Sequence, residues 1–234
     1  MNSLYLIPTT LGDTPPQQVL PASTLEAIAG LRIFVVEELR SARRFLSAAG
    51  HRGHIDSLEF HVLNEHSGAA DADALAELFT RGSVGYLSEA GLPAVADPGA
   101  ALVAVCHREG IPVVPLVGPS SLMLALMASG LDGQSFAFRG YLPAKTEERR
   151  AAIRRMESDS ARLRQTQIFI ETPYRNDALL TDFIAGLSGG TRLCIAADIT
   201  LPTQTIISLT AAEWRRRAGF TIGKRPCVFL ILAQ

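Results

Sequence analysis

The sequence predicts an α/β protein of two domains, and three observations carry that expectation. Through the first half, short apolar runs alternate with helix-like segments of about ten residues, the pattern of βαβ units around a largely parallel sheet. In the second half two strand-like runs stand only a short loop apart, the spacing of an antiparallel pair, so a second, mixed sheet is expected. The chain of 234 residues, 47% hydrophobic and 19% charged, has the length for two ordinary domains and the composition of a globular protein.

Taken in order, residues 4–8 read as a buried strand running into the loop Thr9-Thr10-Leu11-Gly12-Asp13. A helix is expected over 23–29, where Ser23 and Glu26 have capping-box spacing. Residues 32–36 form the second strand, 40–49 a helix closed by Gly50, and 59–63 the third strand. A helix over 71–81 has acids at its start and Gly82 past its end. The strand at 83–87 precedes a long loop, 88–98; a helix at 100–109 and a strand at 112–116 complete this half. Residues 120–129 are apolar nearly all round, which predicts a helix buried on several sides. Further strands are expected at 136–141, 166–171, 191–197, 203–209 and 226–233. The boundary is placed near residue 117, giving an N-terminal domain 1–117 with the ligand loops and a C-terminal domain 118–234 that closes over them.

Composition excludes several classes. A net charge of −1 advertises no polyanionic partner for the molecule as a whole, so nucleic-acid binding requires a local basic patch. Cys106, Cys194 and Cys227 lie far apart, without CxxC or histidine spacing; they make neither a disulfide framework nor a zinc site, and reduced thiols in a cytoplasmic protein are expected. The opening segment lacks a basic n-region and Pro8 cuts its apolar run, so no secretory leader is expected. No apolar stretch approaches the roughly 18 residues of a membrane span.

Ligands of parallel sheets bind beyond the carboxyl ends of the strands. Two segments there are unusual. Ser88-Glu89-Ala90-Gly91-Leu92-Pro93-Ala94-Val95-Ala96-Asp97-Pro98-Gly99 is long and rich in small residues, which lets a ligand approach the backbone. Val117-Gly118-Pro119-Ser120-Ser121 ends in serines placed to cap a helix whose free N–H groups favour a carboxylate. Each segment by itself is equally an ordinary loop or cap. GxxxxGK[ST], GxGxxG, GxSxG and HExxH are all absent, which disfavours phosphotransferases and dehydrogenases and leaves a ligand held by backbone groups.

Leu4-Tyr5-Leu6-Ile7-Pro8-Thr9, Ser88-Glu89-Ala90-Gly91-Leu92-Pro93, Ala96-Asp97-Pro98-Gly99 and Pro115-Leu116-Val117-Gly118-Pro119-Ser120 resemble the tetrapyrrole methylase superfamily. They are most similar to its branch of small-subunit ribosomal RNA 2′-O-methyltransferases acting on cytidine. Gly140-Tyr141-Leu142-Pro143-Ala144-Lys145, Glu148-Arg149-Arg150 and Glu171-Thr172-Pro173-Tyr174-Arg175 extend the match, so it covers nearly the whole chain in order. The resemblance implies an S-adenosylmethionine donor folded into a cleft between two α/β domains, no metal, and a homodimer. By position it implies donor contacts at Pro8, Gly91, Leu92, Val95, Ser120 and Ser121, with Glu171, Ala197 and Pro226 closing over the adenosine.

The chain also departs from that branch. It has Glu89 and Leu92 where the branch usually has Asp and Thr, and Glu37-Glu38-Leu39-Arg40 in place of Glu-Asp-Thr-Arg. It stops near Ala233, without the branch's helical extension, and reads as a short relative whose acceptor stays open.

Transfer to a ribose hydroxyl calls for a group that takes its proton. The candidates at the strand ends are Glu37, Glu38, Glu89 and the pair Glu65-His66. Arg40, Arg43 and Arg44 on one helix, and Lys145, Arg149, Arg150, Arg154 and Arg155 around another, are candidate RNA-phosphate contacts; Arg215, Arg216 and Arg217 form a third group. Glu147, Glu148 and Glu157 interleave with the second group, the pattern of an ordinary solvated helix face. Three readings therefore stand: a methyltransferase of ribosomal RNA or the small ribosomal subunit, one with a tetrapyrrole or other small acceptor, and a catalytically silent donor-binding protein.

Overall fold

The computed structural model describes residues 1–217 and 219–233. The chain divides into two units, Met1–Ser120 and Ser121–Gln234.

In the first unit, β1 (Leu4–Leu6), β2 (Ile33–Val36), β3 (Glu59–Val62), β4 (Val84–Leu87) and β5 (Val113–Pro115) form one sheet in the order β3-β2-β4-β1-β5. Every neighbouring pair is parallel. β2 and β4 are buried at every residue, because helices cover both faces of a parallel sheet. Alternate residues of β2 feed two separate cores. Ile33 and Val35 join Leu102, Val105 and Cys106 of α4 (Gly99–Arg108) on one face. Phe34 and Val36 join Ile28 of α1 (Ala22–Gly30) and Ala42 and Leu46 of α2 (Leu39–Leu46) on the other.

Several helix ends differ from the sequence expectation. α1 begins at Ala22 behind Pro21, so Ser23 and Glu26 form no capping box. Thr24 instead turns inward and donates to the Val117 carbonyl at 2.8 Å. α2 is capped by Glu38, whose carboxylate accepts from the N–H groups of Arg40 and Ser41. α3 (Ala69–Ala74) continues only as a 3-10 segment, Leu75–Thr80.

In the second unit, β6 (Phe136–Phe138), β7 (Thr166–Ile170), β8 (Arg192–Ala197), β9 (Thr205–Thr210) and β10 (Cys227–Leu232) form a sheet in the order β6-β7-β10-β8-β9. β6 and β7 run parallel and the other pairs antiparallel, including β8 with β9, so the sheet is mixed as the short loop between them predicts. Its core joins Phe169, Ile195 and Phe229 to α6 (Thr146–Leu163), α7 (Asn176–Gly186) and α8 (Ala211–Arg216), with Trp214 donating to the Leu193 carbonyl at 2.8 Å. α5 (Ser121–Ser129) packs on β8, β9 and β10. It buries Leu122, Ala125 and Leu126 but leaves Met127 78% exposed, so it is one-sided and not buried all round. All three cysteines are buried; burial pushes their thiols up to about 11 (Cys106, Cys194) and about 12 (Cys227), which makes them poor nucleophiles. Among the described residues no helix is long and apolar enough to cross a membrane.

Candidate functional site

Strand order places the chemistry of the first unit. The connection from β2 leads outward to β3, while that from β4 crosses to β5 on the opposite side. A crevice therefore opens beyond the carboxyl ends of β2 and β4, the place where such sheets bind ligands. Glu37 is the first residue past β2 and Glu89 the second past β4. The Glu89 N–H donates to Glu37 Oε2 at 3.3 Å, and the Ser41 hydroxyl donates to Glu89 Oε1 at 2.5 Å. Burial raises the Glu37 pKa above the ordinary carboxylate value; the Glu89 N–H opposes this, and the charges of Asp97, Glu89 and Glu65 add to it.

The 88–98 loop is held in an unusual backbone path. Gly91 (φ 76°), Ala94 (φ 62°) and Ala96 (φ 61°) all adopt left-handed conformations, which for alanine cost free energy and are found where a site constrains the chain. The Gly91 carbonyl accepts from Thr9 N–H at 2.9 Å, tying this loop to the one after β1. Asp97 Oδ1 accepts from the Tyr86 hydroxyl at 2.9 Å and from Gly99 N–H at 2.7 Å. Asp97 Oδ2 and Ser88 Oγ are buried without a partner among the described residues. Gly118 closes against Pro8, where a Cβ would lie 2.3 Å from the proline ring.

The second unit supplies its own cluster. β10 lies between β7 and β8, so Glu171 just past β7, Ala197 at the end of β8 and Pro226 just before β10 meet at one edge of the sheet. Register agrees: Cys227 pairs with Ala197 and Val228 with Ile170. Glu171 is buried; its Oε1 accepts from Thr172 N–H at 2.6 Å and from Arg175 Nη2 at 2.6 Å. Asn176 Nδ2 donates to the Arg225 carbonyl at 2.7 Å. Glu171 Oε2, Asn176 Oδ1 and Thr200 Oγ1 are buried without partners among the described residues. Buried oxygens left unpaired cost free energy unless a ligand satisfies them, and acceptors of this kind suit a ligand rich in N–H groups.

The structure sorts the sequence candidates. Pro8, Gly91, Leu92, Val95 and Ser120 fall on the first unit's loops, with Val95 exposed, and Ser121 opens α5. Glu37 sits in the crevice. Glu65 and His66 instead form an open pair at the sheet's edge, 3.7 Å apart and more than four-fifths exposed. Arg40 and Lys145 are exposed, Lys145 beside Glu148 at 3.2 Å. Arg149 is a correction: its guanidinium is buried against Asp182 (Nε–Oδ2 2.7 Å) and bonds the Ala144 carbonyl, so it has no face to offer a phosphate. Asn176, Asp97 and Ser88 were missed as site residues. Asn176 directly follows Glu171-Thr172-Pro173-Tyr174-Arg175, and Ser88 and Asp97 lie inside the singled-out loop, but nothing in residue type distinguishes an unpaired oxygen from a paired one.

A parallel α/β unit with a carboxylate-lined crevice is followed by a mixed-sheet unit with unpaired acceptors at the ends of its central strands, and comparison with known proteins assigns this fold to the methyltransferases. The chain belongs to the tetrapyrrole (corrin/porphyrin) methylases, a family of S-adenosylmethionine-dependent methyltransferases, whose model matches residues 4–214. It is 32% identical to the ribosomal RNA small subunit methyltransferase I of Vibrio cholerae serotype O1, over 90% of this chain and 69% of that protein. To the protein of the same name in Neisseria meningitidis serogroup B it is 35% identical, over 91% and 69%. Among solved structures, diphthine synthase superposes with TM-score 0.69 (16% identity, 99% of this chain and 90% of the other). The Thermus thermophilus uroporphyrin-III C-methyltransferase, complexed with S-adenosylhomocysteine, superposes with TM-score 0.59 (15% identity, 99% and 97%). These two likenesses show the fold.

The donor fits the residues present. In the second unit the unpaired Glu171, Asn176 and Thr200 oxygens are acceptors of the kind that the amino groups of S-adenosylmethionine would satisfy; in the first, Gly91 is buried in a left-handed conformation within the small-residue loop.

Proposed function

We propose that the chain methylates a ribose 2′-hydroxyl of small-subunit ribosomal RNA, as a cytoplasmic homodimer and without a metal. The observation that carries the chemistry is Glu37: a half-buried carboxylate of raised pKa at the strand-end crevice, placed to accept a hydroxyl proton. The names of the relatives at 32% and 35% identity support RNA as the acceptor. Bound S-adenosylmethionine supplies a methyl group already activated by the sulfonium charge, so no Lewis acid is required. The chain's part is to align donor and acceptor, exclude water and take the proton. Pro8, Gly91, Leu92, Val95, Ser120 and Ser121, together with Glu171, Ala197 and Pro226, are the residues proposed to contact the donor. Arg40 and Lys145, both exposed, would meet phosphates. The exposed Met127 on α5 supports a self-associating face.

The test is transfer of labelled methyl to 30S particles, with the product mapped by mass spectrometry against RNA from a deletion strain. Label at one ribose, missing in the deletion strain and restored by the purified protein, is expected. Label-free RNA from protein that binds S-adenosylhomocysteine would overturn the RNA reading. Light scattering should return twice the chain mass at micromolar concentration; a monomer would remove the dimer.

A further inference from the structure

α6 turns Arg149, Ala152, Ile153, Met156 and Ser160 toward the core of the second unit. At 3.6 residues per turn its opposite side carries Arg154, Arg155, Ser158 and Arg162, all exposed. Past the helix end Arg164 is exposed in a left-handed conformation (φ 50°), and Arg139, just after β6, is exposed with its Nε donating to Gln167 Oε1 at 2.6 Å. The flanking acids leave this side positive. Glu157 is half-buried and accepts from Ser188 N–H and the Thr191 hydroxyl. Asp159 accepts from Arg162 at 2.9 Å; that bond, with the charges of Arg162, Arg139 and Arg155, holds its carboxyl below the usual value against partial desolvation. Arg154, Arg155 and Arg164 form no ion pair among the described residues. Arg162 lies in the last turn, where the helix dipole favours a cation, but Arg154 and Arg155 sit about two turns earlier and gain nothing from it. Five arginines and one aspartate thus share one surface of a chain whose net charge is only −1.

We propose that this side of α6 grips the phosphate backbone of the acceptor RNA away from the reacting nucleotide, without reading bases. The inference rests on the RNA reading above and adds an anchoring surface to it. Charge complementarity selects the occupant. Guanidinium groups without acid partners suit a polyanion, and their planar fork binds two phosphate oxygens at once. Continuity with Lys145 sets the path: Lys145 occupies the N-cap of α6, and the arginines follow it along the same helix, whose 18 residues span about 27 Å. The surface stands apart from the donor residues of this unit, because Arg164 precedes β7 and Glu171 follows it, a strand's length away. Contacts of this kind contribute affinity and orientation and carry no sequence information.

The experiment uses the full chain with S-adenosylhomocysteine and a fluorescently labelled RNA hairpin, titrated from about 50 to about 200 mM salt. Log affinity should fall linearly with log salt for wild type. Arg154→Gln should make that slope shallower by roughly 0.7–0.9, and the triple variant Arg154→Gln, Arg155→Gln, Arg162→Gln by roughly 2–3. Glutamine keeps the helix propensity of arginine, so S-adenosylhomocysteine affinity, measured by calorimetry, should stay at the wild-type value in both. Arg216→Gln removes the same charge from an exposed position on α8 and should leave the slope unchanged. An unchanged slope in the triple variant overturns the proposal, as do equal effects of Arg154→Gln and Arg216→Gln. Polyglutamate should displace the hairpin poorly; displacement as strong as that by unlabelled hairpin would give the surface to an acidic protein and overturn RNA as its occupant. Methyl transfer to 30S particles is measured in parallel at about 200 mM salt. A shallower slope in the triple variant, with no transfer by wild type, keeps the surface and removes the ribosomal reading; full transfer by the triple variant removes the surface and keeps the ribosomal reading.

Discussion

The buried arginine cluster of the second unit makes a graded prediction. Asp182, 4% exposed, accepts from Arg149 Nε at 2.7 Å and Arg150 Nε at 2.9 Å; the Arg149 side chain is 7% exposed and that of Arg150 44%. Asp182→Ala strands the Arg149 charge in the interior with only the Ala144 carbonyl and the Thr146 hydroxyl, and should cost about 3–5 kcal/mol. Arg149→Ala leaves Asp182 its Arg150 partner and should cost less. Arg150→Ala removes a solvent-screened partner and should cost the least of the three. For a unit of this size 1 kcal/mol moves the midpoint by about 4 °C, so Asp182→Ala should lower Tm by about 12–20 °C. Trp214, the single tryptophan and 1% exposed in the same core, provides the fluorescence signal. In RNA binding, Arg149→Ala should leave the salt slope unchanged, whereas removing a true phosphate contact lowers it by roughly one unit. If Arg149→Ala destabilised more than Asp182→Ala, or if Asp182→Ala shifted Tm by under about 4 °C, the assignment of this cluster to structure would be wrong.

Glu37→Gln should slow methyl transfer roughly 10²–10⁴-fold and flatten the acid limb of its pH profile. Because the folded pKa is raised, the native state holds a proton that the unfolded chain has already released, so Glu37 costs stability as pH rises through that window. The glutamine variant should therefore be more stable than wild type at neutral pH, and a loss of stability on urea titration would count against a desolvated Glu37. Gly91→Val places a branched residue at φ 76°, with its Cβ 3.1 Å from Leu11; S-adenosylhomocysteine affinity should fall tenfold or more, and calorimetry showing wild-type affinity would mislocate the loop. Gly118→Ala should cost about 1–3 kcal/mol in urea unfolding followed by circular dichroism, since the new methyl overlaps the rigid Pro8 ring; a neutral result would mean that the two loops separate freely.

Most strands were legible because parallel strands buried on both faces must be apolar throughout, as Ile33–Val36 and Val84–Leu87 are. α7 and α8 were not anticipated. α8 carried a local signal, the Thr210–Glu213 capping box, masked by the adjoining strand. α7 buries Leu179, Leu180 and Phe183 but follows a proline-containing motif that reads as a loop. The Ser23–Glu26 spacing misled, because Pro21 occupies the N-cap two residues earlier and Thr24 is drawn inward to Val117.

What the sequence determined by itself was local: which runs are strands, which loops are long and small-residued, and, through its motifs, the methylase family. Those properties follow from periodicity, glycine and proline placement, and residue identity along a line. Only the tertiary structure decided between chemically equivalent residues. Strand order put Glu37 beside the β4 loop and sent Glu65 and His66 to the open edge. Packing of α6 on α7 buried Arg149 against Asp182, although Arg149 and the exposed Lys145 looked alike in the sequence. The insertion of β10 between β7 and β8 gathered Glu171, Ala197 and Pro226 from distant segments. Charge, burial and proton affinity at each of these positions depend on neighbours brought in by the fold, and no reading of spacing along the chain can supply them.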